Sequence, residues 1–190
     1  MPAPSEIRLA GNHPDQPIRI EQTGRDIDYP IGGTWRIGVS IGIEIEGCNE
    51  ATIPVAIDLL VRFFCEEGFG TPREQIALNT QALANSPNHW LGLASMDGQH
   101  VGVVTVTTAL YVEWGRLGEI GDLYVLPERR QRGVASALIA ASEAQCTSFG
   151  CSSVSVVVRD VGEARHKLRT FYQRRGFASD GRSILTRSLA

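Results

Sequence analysis

Between residues 119 and 136 the chain carries two carboxylates, Glu119 and Asp122, then an apolar run of Leu123, Tyr124, Val125 and Leu126 ending at Pro127. A basic turn with Arg129, Arg130, Gln131 and Arg132 follows, and a helical pattern opens at Gly133, Val134, Ala135 and Ser136. The first amides of a helix have no acceptor within it and sit at the positive end of its dipole. Such a start is a ready seat for an anion, above all a diphosphate. Gly133 and Ala135 are small enough for the backbone to approach a bulky anion closely, and the arginines add charge beside it. The turn has neither the GxxxxGK[ST] spacing of a nucleotide P-loop nor the GxGxxG of a dinucleotide fold.

The elements that must position this segment follow from periodicity. Residues 35–46 alternate, with Ile37, Val39, Ile41, Ile43 and Ile45 on one face, which predicts a half-buried strand. Asn49 caps a helix with Pro54 in its first turns and Ile57, Leu60, Val61 and Phe64 as its stripe, ending in the turn at Gly68 and Gly70. Thr71 at the cap, Pro72 at the first helical position and Glu74 at the capping-box position predict a second helix to about residue 85. Apolar runs at 90–95 and 101–110 flank Asp97-Gly98, a hairpin signal. A strand at 119–125, a long helix at 133–149, a short buried strand at 153–158, a helix at 163–175 closed by Gly176, and an edge strand at 183–188 complete the order. This is an α/β chain, a mixed sheet with helices packed on it. Residues 1–34, rich in Pro, Gly, Asp and Gln, read as an arm with a short strand at 18–21, and 35–190 as one domain.

Composition narrows the function classes. With 43% hydrophobic and 21% charged residues, the 190-residue chain can bury a sizeable core and is not disordered in bulk. A net charge of −3 argues against a nucleic-acid binder and suits a cationic small molecule. No apolar stretch approaches a membrane span and the first residues lack a secretory pattern, so a cytoplasmic protein without membrane attachment is expected. Cys48, Cys65, Cys146 and Cys151 form no CxxC pair, and His13, His89, His100 and His166 show no ligand-like grouping, so no metal is expected.

Two motifs resemble the GNAT superfamily of acyl-CoA-dependent N-acetyltransferases. Arg130-Gln131-Arg132-Gly133-Val134-Ala135 is similar to its [R/Q]-x-x-G-x-[G/A] signature. Phe171-Tyr172-Gln173-Arg174-Arg175-Gly176-Phe177 is similar to its Y-x-x-x-G-F element. The resemblance covers roughly residues 35–188. It implies a single-domain fold with a mostly antiparallel, twisted sheet flanked by helices, and acetyl-CoA as co-substrate. Backbone amides of Arg130, Gln131, Arg132, Gly133, Val134, Ala135 and Ser136 would hold the CoA diphosphate. The backbone of Leu123, Tyr124 and Val125 would pair with the pantetheine arm, where the family's sheet splays apart. Tyr172 would protonate the departing thiolate. The chain departs from the pattern at Gln131, where the family usually has glycine, a change the turn tolerates if that residue keeps a negative φ. It also departs at Arg165 and Leu168, where Asn and Ala are frequent.

A protonated acceptor amine must lose a proton before it attacks a thioester, and a carboxylate near the gap is the usual base. Asp122 is the first choice, since some aminoglycoside N-acetyltransferases of the family resemble this sequence with Asp in that place. Glu119 is the alternative. Regular alternation would set the two on opposite faces of the strand unless a bulge intervenes. The family often grips its acceptor with the loop joining the first two helices. Here Glu66 and Glu67 would bind an ammonium-rich molecule, with Tyr111, Glu113 and Trp114 at the hairpin end as further candidates. The expected function is acetyl transfer to a primary amine of a small polycationic acceptor, best an aminoglycoside antibiotic, hence resistance or detoxification. The alternatives are acetylation of a protein N-terminus or lysine and, in another class, a CoA-binding regulatory module without turnover. A homodimer is compatible with either.

Overall fold

A computed structural model describes residues 9–10, 18–20, 42–179 and 181–189. Strands β1 (Leu9–Ala10), β2 (Ile18–Ile20) and β3 (Ile43–Gly47) are followed by helices α1 (Ile53–Glu67) and α2 (Arg73–Ala84). Then come β4 (Trp90–Met96), β5 (Gln99–Tyr111), β6 (Gly115–Val125), a 3₁₀ turn at Pro127–Arg129, α3 (Val134–Ser148) and β7 (Ser153–Val156). Helices α4 (Asp160–His166) and α5 (Leu168–Gln173) end the element order. By the density of its contacts the chain forms two compact units, residues 1–154 and 155–190.

In the first unit β1 to β6 pair in sequence order, every neighbour antiparallel. From β3 onward the connections suit antiparallel neighbours: helices α1 and α2 link β3 to β4, and short turns link β4 to β5 and β5 to β6. The hairpin expected at Asp97-Gly98 forms with both residues at positive φ, 53° and 73°, the twist-matched turn that such a pair favours. Ile43 and Ile45 are buried, as their alternation requires; the part of that run before residue 42, with Ile37, Val39 and Ile41, lies outside the described residues.

The sheet has a helix layer on each face. On one, Ala56, Leu59 and Leu60 of α1 and Ile76 of α2 form a core with Leu91, Leu93, Val103 and Tyr124. On the other lies α3, whose buried residues include Val134, Leu138, Ala141 and Cys146. Cys146 presses so closely on β6 at Gly118 that a Cβ there would run into its sulfur. Ser152 donates its amide to the Arg116 carbonyl (2.8 Å), which ties the chain entering β7 to the start of β6.

Several expectations change. Thr52 and not Asn49 flanks α1, and Asn49 instead accepts the amides of Ala51 (2.9 Å) and Thr52 (3.2 Å) in the turn before it. The strand expected to be buried at 153–158 is β7, Ser153–Val156, and is exposed to half-buried. Pro72 is the residue flanking α2, with no side-chain cap, so Thr71 does not make the anticipated capping box. The helix read at 163–175 is two helices broken at Lys167, whose φ is 53°. Lys167 closes α4 through its amide to the Glu163 carbonyl (2.9 Å), while the Glu163 carboxylate accepts the Arg169 amide (2.6 Å) at the start of α5. Residues 183–188 form no strand; Ile184 and Leu185 are exposed, so nothing apolar holds them to a sheet.

Gly118→Ala forces α3 and β6 apart. Overpacking of this kind costs about 1–3 kcal/mol, and at this chain length the melting temperature should drop by about 2–4 °C for each kcal/mol. A thermal melt at neutral pH checks it.

Candidate active site

The site is built around an irregularity in β6. Val104 pairs with Leu123 and Val106 with Ile120, so one residue of β5, Thr105, faces two of β6, Gly121 and Asp122. This is a β-bulge with its extra residue on β6. Side chains alternate on either side of it, so the bulge resets the alternation by one. Glu119 and Asp122 consequently share the face that carries Tyr124 and the α1 core, with Gly121 between them. The bulge thus supplies the condition under which both carboxylates address one side of the sheet.

Thr105 locks the arrangement. Its hydroxyl oxygen accepts the Asp122 amide (2.8 Å), and its hydroxyl donates to Asp122 Oδ2 (3.1 Å). Thr105 is buried, and a Cβ on Gly121 would lie 3.0 Å from its oxygen, so glycine is what lets the strand close over it. Burial pushes the Asp122 carboxyl above the usual carboxylate range, and the Thr105 hydrogen bond partly offsets that by stabilising the anion. Glu119 stands exposed opposite Thr107. Thr105 had no signal in the sequence: a threonine in a Val-Thr-Val-Thr run is an ordinary strand residue until the register is known.

Along one edge Leu123, Tyr124 and Val125 pair with Val104, Val103 and Gly102 of β5. The Tyr124 ring lies in the α1 core, 5.7 Å from the Phe63 ring, and its phenol is pushed up by burial and then by the neighbouring Glu66 carboxylate. Past Val125 the chain turns through the 3₁₀ segment into α3. Gly133 flanks the helix at φ 88°, a left-handed conformation natural to glycine, and offers no side-chain cap to the first turn. An anion at that helix start would meet backbone amides that the flanking residue does not cap.

The arginines divide. Arg129 points back to the β4–β5 hairpin, bonding Asp97 (3.3 Å) and Gln99 (3.3 Å). Arg130 bonds the Val125 carbonyl (2.9 Å) and Glu66 (2.7 Å). Arg132 is exposed and makes no ion pair among the described residues, so it alone of the three keeps its charge for a ligand. Glu66 therefore faces the basic turn, whereas the sequence reading placed it with Glu67 at the acceptor. Gln131 has φ 62°, so the position where the resembling family has glycine does take the left-handed conformation, and the tolerance expected from a negative φ does not apply. A non-glycine residue there stores on the order of 1 kcal/mol of strain.

In the second unit Tyr172 is buried between the rings of Phe171 (5.1 Å) and Phe177 (5.3 Å). Burial pushes its phenol up to about 12, against the opposing pull of Arg175. The group stays protonated at neutral pH. Among the described residues no cluster of His, Cys, Asp or Glu could hold a metal ion, and no helix is long and apolar enough to cross a membrane.

Residues 56–177 match the family model of the acetyltransferase (GNAT) family. The chain belongs to this family and is an acetyl-CoA-dependent N-acetyltransferase. No curated protein matches it by sequence. Among solved structures it is similar to the aminoglycoside N-acetyltransferase AAC(6')-Iy in complex with CoA: TM-score 0.67 and 21% identity over 85% of this chain and 99% of that one. AAC(6')-Iy with the bisubstrate analogue CoA-S-monomethyl-acetylneamine gives 0.67 and 22% over 78% and 99%. The aminoglycoside acetyltransferase meta-AAC0020, from an uncultured soil metagenomic sample and in complex with sisomicin, gives 0.64 and 22% over 78% and 97%. At these identities the likeness is one of fold, and it agrees with the mostly antiparallel α/β architecture expected from the sequence.

Thr105→Val keeps the shape and removes the hydroxyl. The Asp122 anion loses its donor, so its carboxyl moves further up and the acidic limb of the pH–rate profile shifts to higher pH. Thr105→Ser, which keeps both bonds, should restore the wild-type profile. An unshifted limb in the valine variant would show that Thr105 does not tune an Asp122 carboxyl on which activity depends.

Proposed function

We propose that this chain acetylates a primary amine of a small polycationic acceptor, with an aminoglycoside as the leading candidate, and so acts in antibiotic resistance or detoxification in the cytoplasm. The observation that carries this reading is the bulge that sets Asp122 and Glu119 on one face of β6 immediately before the three residues assigned to the pantetheine. Two carboxylates on one face suit an acceptor with more than one ammonium group. Solved proteins of similar fold act on or bind aminoglycosides, which supports the same class here. Residues 35–190 serve as the catalytic domain and 1–34 as an arm.

Asp122 acts as the base, directly or through a water, taking a proton from the acceptor ammonium. Its raised carboxyl is a better match to that task than a solvent-exposed aspartate. The free amine attacks the thioester carbonyl carbon, and the tetrahedral intermediate collapses with cleavage of the carbon–sulfur bond. Tyr172 gives its phenolic proton to the leaving thiolate, a role supported by a phenol that remains protonated at neutral pH; the proton that the attacking nitrogen loses as the amide forms restores the phenol, and the one held by Asp122 passes to water. Glu119 receives a second ammonium of the acceptor. Backbone amides of residues 130–136, with the Arg132 charge, seat the CoA diphosphate.

Release of CoA, followed with a thiol reagent across a panel of aminoglycosides, polyamines and peptide amines, tests the acceptor class. The reading requires the highest kcat/KM on aminoglycosides, and peptide amines turning over fastest would replace it with protein acetylation. Asp122→Asn should lower kcat at least ~100-fold, the usual scale for a general base, with CoA binding retained. The variant should melt no lower than wild type at neutral pH. With the folded carboxyl raised above its unfolded value, what Asp122 contributes to stability is fully present at low pH and lost as the pH rises through the folded value. Tyr172→Phe should slow thiolate departure across the accessible pH range; an unchanged rate would take Tyr172 out of the mechanism.

A further inference from the structure

We infer that Glu66 is a positioning residue for the CoA donor, tying the end of α1 to the turn that seats the diphosphate. The inference rests on the reading of residues 130–136 as that seat. Glu66 lies in the last turn of α1, where Gly68 takes φ 76° and turns the chain so that Phe69 returns onto Phe64 (ring centroids 5.2 Å). The Phe63 ring meets the Tyr124 ring at 5.7 Å on the same face. This aromatic packing carries the Glu66 carboxylate to the C-terminal end of β6, where it accepts a hydrogen bond from Arg130 Nη2 (2.7 Å) and lies near enough to the Tyr124 phenol to push it up.

Arg130 is thereby held at three points. Its Nε donates to the Val125 carbonyl (2.9 Å), its Nη2 reaches Glu66, and its guanidinium stands 5.6 Å from the Tyr124 ring centre. A guanidinium bound in this way is spent on orientation: it points toward α1 and not toward the start of α3. What needs orienting is the next residue. Gln131 is left-handed at φ 62°, a conformation that persists only when its surroundings over-determine it. Arg130 fixes the chain on one side of Gln131, and Gly133, at φ 88°, provides the turn into α3 on the other. Without Glu66 the Arg130 clamp loses its charged partner, and the amides that must converge on the diphosphate lose their common direction. The alternative consequence, that Arg130 freed from Glu66 adds a positive charge to the seat and tightens binding, predicts the opposite sign.

Calorimetric titration of CoA into the full chain decides between them. Glu66→Ala should weaken CoA binding about tenfold, equivalent to about 1.4 kcal/mol. Glu66→Gln, which keeps an acceptor for Arg130, should recover part of the loss. Arg130→Ala should weaken binding by a similar factor, and the double variant no further, because both remove one clamp. In steady state the KM for acetyl-CoA should rise while kcat and the acceptor KM stay within about twofold, a split that general destabilisation would not produce. Unchanged or tighter CoA binding in Glu66→Ala overturns the inference, as does a rise confined to the acceptor KM, which would return Glu66 to the acceptor. A wild-type chain that does not bind CoA would instead overturn the reading of the turn itself, and the inference with it.

Discussion

The site depends on one backbone irregularity: the extra residue of β6 at Gly121 and Asp122, opposite Thr105. A strand in regular alternation would send Glu119 and Asp122 to opposite faces. It would also leave Asp122 without the reciprocal pair of bonds that Thr105 makes to its amide and carboxylate. The bulge solves both at once, at the cost of a local break in the ladder between β5 and β6. The buried Thr105 hydroxyl satisfies the amide the break would otherwise orphan, so the irregularity is stabilised by the same side chain that tunes the carboxylate. The close approach of Gly121 to that hydroxyl explains why the residue before Asp122 has no side chain.

The rest of the first unit holds this point in place. The core of α1 and α2 against β4, β5 and β6 covers the face that carries Asp122 and Tyr124. Close contact at Gly118 sets α3 against the other face, so the helix whose start would take the diphosphate is fixed to the strand that carries Asp122. The network of Glu66, Arg130 and Tyr124 joins the two layers at the end of β6. The proposed donor seat and the proposed base thus belong to one strand–turn–helix segment, a suitable foundation for transfer chemistry that relies on position.

The sequence carried this segment legibly because its signals are local. A strand stopped by proline, a basic turn and a glycine before an alanine-rich helix each read within a few residues, as does Asp97-Gly98, whose two positive φ angles follow from its residue types. What escaped is relational. The bulge exists only in the register between β5 and β6, so neither the shared face of Glu119 and Asp122 nor the part played by Thr105 follows from either strand alone. The engagement of Glu66 with Arg130, 64 positions along the chain, is invisible for the same reason. The break at Lys167 was hidden by helical periodicity on both sides, since the Glu163 carboxylate that caps α5 looks like any exposed helix acid. The run at 183–188 holds Ile184 and Leu185, an apolar pair that suggests an edge strand, but an apolar pair is not a partner. At Gln131, side-chain type and backbone conformation conflict, and neighbouring contacts decide the outcome.

The central claim is that the bulge buries and orients a carboxylate until it is fit to serve as a base. The most direct measurement is a carbon-13 NMR titration of the Asp122 carboxyl carbon in the acceptor-free enzyme, set beside the pH dependence of kcat/KM on the best acceptor. The account predicts a midpoint above the usual aspartate range that coincides with the acidic limb of activity. A carboxyl that titrates as a solvent-exposed aspartate, or an activity limb that follows a different group, would contradict it.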